Sequence, residues 1–100
     1  MQTQHLQYLV EIERTRSISQ AASNLCLGQP NLSRILREIE ASVGFPIFQR
    51  SSRGVLPTER GGVFLRHAHN ILRELEAIEV LGPRYSYGDR FRICIPRSAS

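Results

Sequence analysis

Lysine and tryptophan are absent from the 100 residues, and aspartate and methionine each occur once. All thirteen basic residues are therefore arginine, set against nine acids for a formal charge of +4 and a pI near 9.8. Only two cysteines are present, Cys26 and Cys94. That is too few for a disulfide framework, and no C-x-x-C pair offers ligands to zinc. Cys26 stands between Leu25 and Leu27 and reads as a small buried hydrophobe rather than a redox thiol. Long apolar runs are missing as well: none exceeds three residues, far short of the ~20 that a membrane helix needs. Met1-Gln2-Thr3-Gln4 shows neither the basic patch nor the apolar stretch of a secretory signal.

Carriers of catalytic chemistry are equally scarce. The one aspartate, Asp89, completes no Ser/His/Asp arrangement, and Gly61-Gly62 lacks the following Lys-Ser/Thr of a phosphate loop. His67 and His69 fall about 200° apart on a helix, and His5 adds no ligand spacing. No metal, no cofactor and no enzymatic activity are expected. The length suits one small domain, with 41% hydrophobic residues for a core, and leaves no room for a second large one. With 22% charged residues the chain does not read as disordered. The expectation is a soluble, globular, cytoplasmic protein with no membrane partner.

The charge changes sign in blocks. Between positions 45 and 73, Arg50, Arg53, Arg60, Arg66 and Arg73 face Glu59 alone, with Glu38 and Glu40 before and Glu74, Glu76 and Glu79 after. A local basic face governs polyanion binding more than the net charge does. Taken alone, such a run describes an ordinary solvated face equally well.

Periodicity and caps organise the chain. Leu6, Leu9, Val10 and Ile12 suggest a helix from about 4 to 15. Ser17-Ile18-Ser19-Gln20 is a capping-box pattern, in which Ser17 accepts from the backbone and Gln20 reaches back. The second helix it opens carries Ile18, Ala21, Ala22 and Leu25 on one face. A third helix begins at Gln29-Pro30, where proline loses no intrahelical bond, and stops at Gly44. The stretch 45–50 reads as a strand, Ser51-Ser52-Arg53-Gly54 as a turn and Val55-Leu56-Pro57 as a returning strand. Thr58 then caps a long helix running to about Leu81.

The third helix has two distinct faces. At 100° per residue from Gln29, the residues Leu32, Ile35, Leu36, Ile39 and Val43 fall within about 240–340°. That arc must face the core. Pro30, Ser33, Arg34 and Arg37 lie opposite, flanked by Gln29 and Asn31, while Glu38 and Glu40 sit toward the other end. A helix entering the major groove by its N-terminal end wants this polarity. Arginine donates bidentately to guanine O6 and N7, and glutamine pairs with adenine N6 and N7. Arg50 and Arg53, on the strand and turn that follow, suit a narrow minor groove, which concentrates negative potential.

Ala21-Ala22-x-x-Leu25, Gln29-Pro30-Asn31-Leu32-Ser33-Arg34-x-Leu36-x-x-Ile39-Glu40, Gly44, Ile47-Phe48-x-Arg50 and Thr58-x-x-Gly61 follow one another in order. Over residues 4 to 80 this series resembles the N-terminal domain of LysR-type transcriptional regulators. The resemblance implies a mainly α fold: a winged helix-turn-helix of three helices and a two-stranded wing at 1–58, then a linker and dimerisation helix at 59–82. It implies a homodimer on partly palindromic, double-stranded operator DNA. Gln29, Pro30, Ser33 and Arg34 match the family's groove-facing positions and Arg53 its wing arginine. Asn31, Arg37 and Arg50 complete the expected DNA-binding set. Two departures stand out: Gly28 occupies the place of a common serine, and Asn31, which either adds a polar contact or is simply solvated, that of a small apolar residue.

Phe64, Ala68, Ile71, Leu75 and Ile78 repeat at heptad spacing along the long helix, with Leu65 and Leu72 widening the stripe. Periodicity leaves two readings open, packing on its own domain or pairing with a second copy; the resemblance favours a dimer interface. The tail, 83–100, reads as a linker and one strand, the start of an effector domain or disordered. A small-molecule effector is expected only where the family's C-terminal sensing domain is present. The rival to DNA reading is a protein-interaction or dimerisation module with only non-specific DNA affinity.

Overall fold

The structure, a computed structural model, describes residues 2–81. The expectations for the tail, including Cys94, Asp89 and the strand at 91–95, lie outside these residues. The elements are α1 (Thr3–Thr15), α2 (Ile18–Asn24), α3 (Gln29–Val43), β1 (Phe48–Ser51), β2 (Gly54–Pro57) and α4 (Glu59–Leu81). None of the described helices is long and apolar enough to cross a membrane.

Three helices meet on one apolar core. Leu9 and Ile12 of α1, Ala21 and Ala22 of α2 and Leu32 of α3 are almost wholly buried, joined by Ile47 and by Leu65 of α4. The two alanines leave room for α1 and α3 to approach α2, which at seven residues has too few hydrogen bonds to persist without that packing. Ser17 caps α2, its hydroxyl accepting from the Gln20 N–H at 3.0 Å. Only half of the expected capping box forms, because the Gln20 amide donates forward to Asn24 Oδ1 instead of back to Ser17. Asn24 in turn donates to Glu11, so this chain of polar groups ties α2 to α1. Glu11 also accepts from Arg14, and that hydrogen bond and its charge push the guanidinium pKa further up.

The turn after α2 corrects the reading of Cys26. Leu25 and Leu27 pack partly buried against the core, but Cys26 is exposed. Its φ of 59° is left-handed, and this reversal sends the side chain between two inward-facing leucines out to solvent.

The hairpin is antiparallel, with Phe48 opposite Pro57 and Ser51 opposite Gly54. It starts three residues later than the expected strand at 45–50. Pro46 has no N–H, and the N–H groups of Ile47 and Phe48 donate to the Glu40 carboxylate at 2.7 and 3.2 Å rather than to a strand. Glu40, which the sequence placed among acids kept away from DNA, is thus a structural clasp between α3 and β1. The turn end of the hairpin is pinned to the α1–α2 junction: the Val55 N–H donates to the Arg16 carbonyl at 3.0 Å.

The start of α4 is set by Thr58 and Gly61. The Thr58 hydroxyl donates to the Pro46 carbonyl at 2.6 Å and accepts from the Gly61 N–H at 2.9 Å. Gly61, Leu65 and Ala68 are buried, so the first turns of α4 are continuous with the domain core. The His69 imidazole, 2.8 Å from Glu13, adds a polar link between α4 and α1.

Candidate nucleic-acid interface

The burial of Leu32, Leu36 and Ile39 fixes the rotation of α3 about its axis. Gln29, Pro30, Asn31, Arg34 and Arg37 are consequently exposed together, and Ser33 is half-buried beside them. This is the face separation that the 3.6-residue period demands.

The first turn of α3 has no side-chain cap, since Gly28 precedes it. Pro30 lacks an N–H, and the Asn31 and Leu32 N–H groups donate to the Gly28 carbonyl at 3.1 and 3.0 Å. Attraction for an anion at this end therefore comes chiefly from side chains. A Cβ on Gly28 would meet nothing nearer than Pro30 Cδ at 3.9 Å, and its φ of −70° and ψ of 143° suit any residue. Gly28→Ser is therefore expected to raise unfolding stability by a few tenths of a kcal/mol, measured by thermal denaturation. Destabilisation would contradict the open N-cap.

Arg34 is not loose on this surface. Its Nη1 donates to Glu38 Oε2 at 2.9 Å and its Nη2 to Asn31 Oδ1. Asn31, exposed on this face, is thus also a partner of Arg34.

Between α3 and the hairpin runs an open groove of about 250 Å³ that brings Ser33, Arg37 and Arg50 together with Gln49. Arg53 stands apart from it, at the hairpin tip. There the Ser51 hydroxyl accepts from the Arg53 N–H at 3.1 Å and donates to the Gly54 carbonyl at 3.0 Å, closing the turn. Gly54 is required at its position: φ is 102°, and a Cβ would lie 2.5 Å from the Arg16 carbonyl oxygen. Arg16, the exposed left-handed cap of α1, therefore has its backbone against the turn end of the wing. Sequence reading passed over it, because it occupies an interruption between helices and no periodicity places it near the hairpin.

The interface residues expected on α4 divide. Ala68 is only 1% exposed, and Phe64 is half-buried with its ring edge-on to Phe45 at 6.3 Å. Ala68 packs wholly within the subunit and Phe64 only in part. Ile71 and Ile78 are 50% and 56% exposed, and Leu75 is half-buried. Ile71 and Ile78 lie about 85–105° round the helix from the buried stripe of Gly61, Leu65 and Ala68, and Leu75 lies between. The apolar stripe is wide enough that one edge packs on α1 while the other remains uncovered.

Two helices joined by a tight turn, the second exposing a polar, arginine-bearing face beside an arginine-tipped hairpin, define a winged helix-turn-helix. The chain belongs to the LysR family of bacterial regulatory helix-turn-helix proteins, whose model matches residues 3–62. It is 38% identical over 76 residues, 76% of its length, to the HTH-type transcriptional regulator GbpR of Azospirillum brasilense, and it spans 22% of that relative. Among solved structures, the complex of the BenM DBD with benA site 1 DNA superposes with a TM-score of 0.77 at 32% identity, covering 81% of this chain and 91% of that one. The CbnR DBD–DNA complex gives 0.71 at 31% identity, covering 93% and 97%.

Proposed function

We propose that these residues form the DNA-reading and dimerisation module of a transcriptional regulator acting in the cytoplasm, where the chromosome is. The first turns of α3 enter the major groove, with Gln29, Ser33 and Arg34 toward base edges, Asn31 beside Arg34, and Pro30 offering an apolar surface to a thymine methyl. Arg37 and Arg50, lining one groove, flank the intervening phosphates, and Arg53 reaches the adjacent minor groove. The observation that carries this reading is the outward, polar and basic face of α3 beside the wing. The DNA complexes of similar domains support it. Two copies paired through the uncovered edge of α4 would set two α3 helices on half-sites about one helical turn, or a multiple, apart. No effector is assigned to these residues.

Selection of bound duplexes from a random pool tests the reading. A preferred site with two related halves is expected, retained against excess random DNA. An interaction module would instead give weak, salt-sensitive binding without preference. Arg34→Ala is expected to weaken binding to the selected site by about 1–3 kcal/mol, or roughly 5- to 150-fold, and to relax preference at one base pair per half-site. Equal weakening on all sequences would make Arg34 a phosphate contact.

A further inference from the structure

Arg34 is held from both directions along α3. Glu38, one turn toward the C-terminal end, accepts from Nη1, and Asn31, one turn toward the N-terminal end, accepts from Nη2. A guanidinium carries five N–H donors in a planar fork, two on each terminal nitrogen. Having given one hydrogen to each neighbour, both terminal nitrogens of Arg34 retain one more. A guanine edge, with O6 and N7 side by side, accepts from two guanidinium N–H groups at once. The Arg34 and Glu38 side chains are 54% and 60% exposed, so the pair adds little to folding stability. Its consequence falls on binding instead. The fork is oriented before DNA arrives, and a carboxylate at 2.9 Å offsets the positive charge that would otherwise favour any phosphate.

We propose that Asn31 and Glu38 are positioning residues that set the sequence discrimination of Arg34. Asn31 aims the fork, and Glu38 lowers its attraction for unrelated DNA. This inference rests on the reading above, in which Arg34 meets a base.

The test uses the full chain, a duplex it selects from a random pool, and a random-sequence duplex of equal length. Glu38→Gln is expected to tighten binding to the random duplex about three- to tenfold at low salt and to steepen its salt dependence by about one released counterion. The selected-to-random ratio narrows accordingly. Asn31→Ala is expected to weaken binding to the selected duplex about three- to tenfold, with little change on the random one. Both effects should disappear in an Arg34→Ala background, which separates action through Arg34 from simple repulsion by an exposed acid. An unchanged ratio in both variants, or a Glu38→Gln effect that persists at full size without Arg34, overturns the inference and leaves sequence-specific binding intact. A wild-type chain without preference for any duplex overturns the functional reading, and this inference with it.

Discussion

Gly61→Ala is expected to destabilise the domain by about 3 kcal/mol or more, lowering its melting temperature by roughly 12–24 °C. A Cβ at position 61 would lie 1.9 Å from the Ile47 carbonyl oxygen and 2.7 Å from its carbon. These are backbone atoms, held by the Thr58 N–H at 2.9 Å and by the Glu40 clasp on the Ile47 N–H. Relief requires α4 to move away, which breaks the Thr58 contacts and lifts buried Leu65 from the core. Alanine's higher helix propensity returns only about 1 kcal/mol. The neighbouring glycine gives the opposite sign. Gly62 is exposed, and a Cβ there meets nothing within 4 Å. Gly62→Ala is therefore expected to stabilise by about 0.5–1 kcal/mol through the unfolded chain's lost freedom. Thermal denaturation of both variants checks the pair. Equal stabilities would show that the contact between α4 and the Ile47 carbonyl is not close.

Ile78→Glu is expected to convert a dimer to monomers and to lower affinity for the selected two-half site by about 100-fold or more. Ile78 is 56% exposed and lies outside the core cluster, so the substitution should leave the melting temperature of the subunit fold nearly unchanged. It introduces a charge on the same uncovered edge as Ile71, one heptad away, where a paired helix would have to desolvate it. A binding site of two halves gains its affinity from tethering; separated subunits lose that gain without losing any contact to a single half. Sedimentation or light scattering measures the oligomeric state, and titration of half and whole sites measures the affinity. A variant that stays dimeric with full affinity would move the interface away from this edge of α4.

Much of the fold was legible along the chain because the relevant interactions are local. Ser17 accepts from an N–H three residues on, Gly44 takes the left-handed φ of 90° that ends α3, and Pro30 sits where its missing N–H is harmless. The two faces of α3 followed from helical period alone, and with them the exposure of Gln29, Pro30 and Arg34. The strand at 45–50 was drawn too early for a non-local reason. Glu40, on another element, takes the N–H groups that a strand would have used. Between a polar contact and plain solvation, the sequence left Asn31 open, because residue type alone does not reveal which neighbour a long arginine will choose.

From its own order of residues this protein determined where helices begin and end and which side of α3 turns inward, since caps and periodicity act over one or two turns. Tertiary structure decided the rest. Whether Phe64 and Ala68 or Ile71 and Ile78 remain open to a second chain depends on where α1 lies against α4, and a heptad looks the same whichever surface covers it. Cys26 turned outward because the backbone reverses there to dock both flanking leucines. Burial belongs to two surfaces brought together, and a linear pattern specifies only one of them.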